Sequence, residues 1–141
     1  SPACAGRSSP QVCVRSMGEW YPSVMSKSLQ QMIAEAKGKI RECDPDEVAS
    51  AVKGRTPCVI LDVREPPEHA QGTIPGAVTV PRGVLEFQIE RVCPDRNAKM
   101  YVYCAGGFRS ALAAATLKEI GYADVASMAG GFGAWVQGGY A

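Results

Sequence analysis

The chain has 141 residues, 46% of them hydrophobic, with a formal net charge of +1, which suffices for one compact core. The near-neutral balance gives no electrostatic case for nucleic acid or an anionic membrane, and no apolar run approaches the ~18–20 residues of a membrane span. Six cysteines without a Cys-x-x-Cys pair, and His69 as the single histidine, show no zinc-ligand spacing, so no metal or other cofactor is expected and a reducing compartment, the cytoplasm, is the expected setting.

Residues 1–24 are rich in Ser, Pro and Gly and show no sustained period. They read as a flexible N-terminal tail or an expression-derived leader, without the hydrophobic region of a signal peptide. Arg7 and Arg15 among several serines keep a disordered functional extension or the remains of a targeting peptide open. An accessory helix is expected within 25–38. Ser28 can cap it, Leu29, Met32, Ile33 and Ala36 fall at helical spacing over Leu29 to Lys37, and Gly38 is placed to stop it. Lys39 to Cys43 suggests a short edge strand. Asp44, Pro45 and Glu47 then offer an N-cap, a proline at the first helical position and an acid at the third, ahead of Val48 to Val52.

Beyond this point strand and helix alternate. Cys58 to Val63 and Met100 to Tyr103 are the strongest buried strands, with Ala77 to Val80 and Asp124 to Met128 weaker. Ala111 to Ile120 has high helix propensity, and Gly121 is placed to end it. The alternation favours an α/β fold with a parallel sheet covered on both faces. Cys58 reads as a small hydrophobe. Cys93, beside Pro94, is expected in a loop, with a resolving or regulatory role as the minority reading.

The most informative stretch is Cys104-Ala105-Gly106-Gly107-Phe108-Arg109-Ser110, between a buried strand and a helix. A loop curling onto a helix start directs unpaired backbone N–H groups and the positive end of the helix dipole at its centre. Gly106 and Gly107 are expected to take positive φ and allow close approach, and Arg109 adds positive charge. Together these features should draw a cysteine pKa from about 8.5 toward the roughly 3.5–7.5 range of activated thiols. Cys104 is therefore the expected nucleophile.

This loop, with Val59-Ile60-Leu61-Asp62-Val63-Arg64-Glu65, Gly72-Thr73-Ile74-Pro75-Gly76-Ala77 and Gly130-Gly131-Phe132-Gly133-Ala134-Trp135, resembles the single-domain rhodanese (thiosulfate sulfurtransferase) family over residues 39–141. The resemblance implies a three-layer α/β domain with a central, mostly parallel five-stranded sheet and helices on both faces. It also implies transfer of sulfane sulfur through a Cys104 persulfide, from a donor such as thiosulfate to cyanide or a thiol, by ping-pong chemistry. Ala105, Gly106, Gly107, Phe108, Arg109 and Ser110 would cradle the persulfide, and Arg109 would meet the anionic end of the donor. The alternative is a persulfide carrier that hands sulfur to a partner protein in a relay. Phosphatase or arsenate reductase activity is the least favoured reading: relatives of that kind resemble cysteine, five residues, arginine, whereas here four residues intervene.

Other residues weigh differently. Asp62 and Arg64 stand at a strand end, where open sheets place ligands, but a structural or supporting role is favoured. Arg82, after another strand end, is balanced between a second cation for the donor and a solvated side chain. Trp135 reads as a core anchor. Thr73 stands where the family usually has histidine, and His69 where an aromatic is common. Deprotonation by the loop field leaves His69 little part as a base, and it is expected to be partly exposed.

Overall fold

The structure, a computed structural model, describes residues 26–140; the tail expected over 1–24 lies outside them. The chain divides into two units between Met32 and Ile33, inside a first helix, α1 (Leu29–Lys39). In the first unit Ser28 caps this helix as expected. Gln31 N–H donates to Ser28 Oγ at 3.1 Å, and Ser28 N–H donates back to Gln31 Oε1 at 2.7 Å, a reciprocal capping box. Leu29 and Met32 are exposed. In the second unit α1 runs through Gly38 to Lys39, past the expected stop, and buries Ala36.

The second unit holds one sheet of five strands: β1 (Arg41–Cys43), β2 (Val59–Asp62), β3 (Val78–Thr79), β4 (Lys99–Tyr103) and β5 (Asp124–Met128). Their order is β1-β5-β4-β2-β3, and every pairing is parallel. The sheet is thus wholly rather than mostly parallel. Four further α-helices follow among the described residues: α2 (Pro45–Lys53), α3 (Leu85–Val92), α4 (Phe108–Ile120) and α5 (Gly131–Gln137).

Side-chain alternation along the central strands builds two cores. Leu61, Met100, Val102 and Val125 pack with Leu85 and Ile89 of α3 and Ala113, Ala114 and Leu117 of α4. Ile60, Tyr101, Tyr103, Ala126 and Met128 face the other way, against Val48 and Ala51 of α2 and Phe132 and Trp135 of α5. A strand covered on both faces must be apolar throughout, which is why β2 and β4 read as continuous hydrophobic runs. Leu61, Met100, Val102 and Leu117 are fully buried, each worth roughly 1.5–3 kcal/mol relative to exposure.

Local signals account for most boundaries. Asp44 occupies the N-cap of α2 with extended backbone, but its side chain makes no capping bond. Glu47, at the third helical position, is drawn instead to Arg41 and the Tyr101 hydroxyl, each at 3.0 Å. Gly121 ends α4 in the left-handed conformation at φ 118°, its N–H shared between the Leu117 and Lys118 carbonyls. Helix α5, of sequence GFGAWVQ, has poor intrinsic propensity. It forms because Phe132 and Trp135, one turn apart, are both buried against the sheet. Trp135 is the expected anchor.

Candidate active site

Strand β4 sits between β5 and β2 and runs out at Tyr103, so Cys104 emerges at the carboxyl edge of the sheet, where parallel folds place their ligands. Its side chain is buried. Gly107 N–H donates to Cys104 Sγ at 3.1 Å and Ser110 N–H at 3.3 Å. These donors belong to the N-cap and third residue of α4, groups that have no carbonyl partner within the helix. The same helix end carries the positive pole of its dipole. Gly107 and Ser110 thus direct two backbone N–H groups at the sulfur.

The two glycines differ. Gly107 takes φ 97°, and a β-carbon there would lie 3.1 Å from Gly130 N. Gly106 is not among the positive-φ residues and has only the Phe108 ring near it. The expectation of positive φ at both is thus corrected: one left-handed residue turns the chain onto the helix, and Gly106 is not needed for it.

A second set of contacts holds the loop from outside. Phe132 N–H donates to the Cys104 carbonyl at 2.7 Å and Gly133 N–H to the Ala105 carbonyl at 3.1 Å. The start of α5 thereby fixes the two carbonyls at the head of the loop. The Gly130-Gly131-Phe132-Gly133 motif carries this job in addition to placing Trp135. Behind the sulfur, Ser110 Oγ lies 3.5 Å from Cys104 Sγ and 2.8 Å from Ser127 Oγ, with both serines fully buried.

Asp62 and Arg64 form a buried ion pair. Arg64 Nη2 donates to Asp62 Oδ2 at 2.9 Å, and Arg64 Nε donates to both carboxylate oxygens. The Tyr103 hydroxyl also donates to Asp62 at 2.8 Å and accepts from Ile74 N–H. Burial and this bond push the Tyr103 phenol well above its ordinary value. Arg64 continues to the carbonyls of Glu68 and Gly72 and packs 4.3 Å from the Phe132 ring centroid. The pair therefore ties β2, the turn Pro66–Gln71 and α5 together, in line with the structural role favoured from sequence. His69 Nε2 is 3.5 Å from Asp62 Oδ2, which turns it toward this network.

Arg109 is engaged before any donor arrives. Its Nη1 and Nη2 donate to Glu68 Oε1 and Oε2 at 2.8 and 2.9 Å, a fork-on-fork pair. The hydrogen bonds raise the Arg109 pKa and hold the Glu68 carboxyl below the usual range. Arg82 is committed to Glu86 at 3.2 Å and to Thr116 Oγ1 at 3.2 Å, so these two partners, rather than the cysteine loop, receive its guanidinium. Phe108 is largely exposed, with Lys37 Nζ 5.3 Å from its ring centroid. Glu68, Ser127 and the α5 N–H groups are the site features that sequence reasoning missed. The one polar residue in the Val125-Ala126-Ser127-Met128 run was a usable signal for Ser127.

A pocket of about 370 Å³ adjoins the loop, lined by Arg64, Glu68, Gln71, Ala105, Phe132, Gly133 and Val136. Cys43, Cys58 and Cys93 lie elsewhere, and all are free thiols like Cys104. Cys93 follows α3 in a loop, as expected, with its side chain buried in the α3–α4 core. Among the described residues no group of His, Cys, Asp and Glu could hold a metal ion, and no helix is long and apolar enough to cross a membrane.

The profile of the rhodanese-like domain matches residues 44–138. A sulfurtransferase of Allochromatium vinosum is 31% identical over 100 residues, which cover 71% of this chain and 92% of that protein. The thiosulfate sulfurtransferase PspE of Escherichia coli is 34% identical over 70 residues, covering 50% of this chain and 67% of the relative. Among solved structures, a Rhodopseudomonas palustris protein of unknown function, described as a possible tyrosine phosphatase, superposes with a TM-score of 0.78 at 35% identity. That match covers 86% of this chain and 98% of the other.

Proposed function

The chain belongs to the rhodanese-like family, and from that membership we propose that it moves sulfane sulfur through a persulfide on Cys104. The observation that carries the reading is the pair of N–H groups, from Gly107 and Ser110, aimed at Cys104 Sγ. Preorganised donors of this kind stabilise charge on a single sulfur without reorganising during the reaction.

In the first half-reaction the Cys104 thiolate attacks the outer sulfur of a donor, thiosulfate being the simplest. The new Sγ–S bond forms as the donor's S–S bond breaks, and sulfite leaves with the electron pair. In the second, a thiophilic acceptor such as cyanide or a thiol attacks the outer sulfur and Cys104 departs as thiolate. No net redox change occurs and no cofactor is required. Ser110 can orient its hydroxyl proton toward the anionic sulfur while Ser127 donates to the Ser110 oxygen. A reducing compartment such as the cytoplasm fits this chemistry, since an oxidising one would consume the thiolate.

The likeness to a possible tyrosine phosphatase makes phosphoryl transfer the reading to set against this one. Against it stand the four residues between Cys104 and Arg109, and Arg109 itself, which is closed on Glu68. A phosphate cradle needs that guanidinium for equatorial oxygens. Intact-mass spectrometry before and after donor, then after cyanide, with Cys104→Ser alongside, separates the readings. Gain of one cyanide-labile sulfur in the parent chain alone is the expected result. Absence of gain from every donor, in folded protein, would overturn it.

A further inference from the structure

Resting on sulfur transfer at Cys104, we propose that Glu68 is a specificity-determining residue that turns the site away from dianionic thiosulfate and toward organic persulfides, R–S–SH with an apolar R. The first observation is charge. Both guanidiniums beside the loop are already matched by carboxylates: Arg64 by Asp62, and Arg109 by Glu68 in a two-point pair. Glu68 also lines the pocket. A sulfonate entering there meets a carboxylate whose partner arginine is occupied, so the electrostatic gain that a dianion needs is cancelled before it binds.

The second observation is the surface around the opening. Ala105, Phe132 and Val136 line the pocket. Phe108 and Val136 are 55% and 58% exposed, so the cysteine loop and α5 each present a large apolar side chain to solvent. Such a rim favours a carbon substituent over a hydrated sulfonate. Two N–H groups of the loop are already directed at Cys104 Sγ itself, the atom that carries the anionic charge in transfer from a persulfide.

The chemistry balances for the persulfide. The Cys104 thiolate attacks the terminal sulfur of R–S–SH. The Sγ–S bond forms, the R–S to S bond breaks, and R–S⁻ leaves with the electron pair. The proton stays on the transferred sulfur, and no external oxidant or reductant takes part. The leaving group is a singly charged thiolate with an apolar body, where thiosulfate would release doubly charged sulfite beside Glu68.

The test compares sulfur loading of the full chain by ethyl persulfide and by thiosulfate, read by intact mass with cyanide release, in the parent and in Glu68→Gln. Expected is a parent preference for ethyl persulfide of about tenfold or more in loading rate. Glu68→Gln, which frees Arg109, should raise the ratio of thiosulfate to ethyl persulfide loading about tenfold. Equal or faster loading of the parent by thiosulfate, or an unchanged ratio in the variant, would overturn the role of Glu68. Should Glu68→Gln not fold, the parent's thiosulfate rate must not fall with added salt, because the matched Glu68–Arg109 pair leaves no attraction to screen, and a falling rate would overturn the proposal. Failure of both donors to load the parent would instead remove the sulfur-transfer reading beneath it.

Discussion

Gly131 passes so close to Cys104 that a β-carbon on Gly131 would overlap the Cys104 carbonyl oxygen and lie 2.6 Å from the Ala105 carbonyl carbon. Gly131 also holds φ at 59°, which side chains disfavour. The close passage lets Phe132 and Gly133 donate to the loop carbonyls, so the geometry at the nucleophile is set by a glycine in the last helix. Gly131→Ala should cost roughly 2 kcal/mol or more in stability and slow sulfur loading at least about tenfold. Gly133→Ala, whose β-carbon would meet the Ala105 oxygen at an ordinary 3.5 Å, should do neither. Calorimetry and loading rates check both, and an unimpaired Gly131→Ala would contradict the coupling.

Thiol reactivity should separate the described cysteines by environment. Burial pushes the Cys43 thiol up to about 11, and desolvation raises Cys58 and Cys93 as well. A raised value keeps the thiol protonated, hence unreactive, until pH approaches it. Iodoacetamide at pH 7.5 should therefore modify Cys104 ahead of these three, and Cys43 should begin to react only as pH nears its raised value. Peptide mapping across pH reads the order, and earlier labelling of Cys58 than of Cys104 would count against an activated nucleophile.

The site was legible where its causes are local. A buried strand, a cysteine, a glycine turn and a helix are contiguous in sequence, and Asp124 to Met128 matches β5 to the residue because its side chains are buried on both faces. The pairings of Glu68 and Ser127 were not legible, although a lone serine in the buried β5 run marks Ser127 as unusual. Arg109 and Glu68 are 41 residues apart and Ser110 and Ser127 are 17 apart, and only the sheet order brings them together. Helix α5 escaped for the opposite reason: its glycines argue against a helix locally, and the packing of Phe132 and Trp135 overrides them.

Arg64 and Asp62 should behave as a buried ion pair. Both are almost wholly inaccessible, so removing one partner strands the other's charge. Arg64→Met should cost about 3–5 kcal/mol by urea denaturation. Combining it with Asp62→Asn should cost less than the sum of the two single changes, because the second change removes the charge that the first left unpaired. Additive effects would show that the two residues act independently.

The Glu68–Arg109 pair should leave a signature in acid. Arg109 holds the folded Glu68 carboxyl below its unfolded value, so the pair's contribution is fully present above about pH 4.3, the ordinary glutamate value. It is lost as pH falls through the lowered folded value. The melting temperature of the parent should therefore exceed that of Glu68→Gln at pH 7, by a small margin because both side chains are partly solvated. The margin should close below pH 4, and a difference that grows on acidification would exclude this linkage.

Ser127 should act on the sulfur through Ser110. With Cys104 anionic, the Ser110 hydroxyl can give its proton to Sγ while its own oxygen accepts from the Ser127 hydroxyl at 2.8 Å. Polarisation along the chain of two hydroxyls strengthens the bond to sulfur. Ser127→Ala removes the donor while leaving every backbone contact to Cys104 in place, so loading at pH 7 should fall about fivefold, the effect of roughly one hydrogen bond. Ser127→Thr keeps the hydroxyl and should recover most of the rate. A role in packing alone predicts the reverse order, since Ala fills the buried site with less crowding than Thr, and the rates of the two variants decide between them.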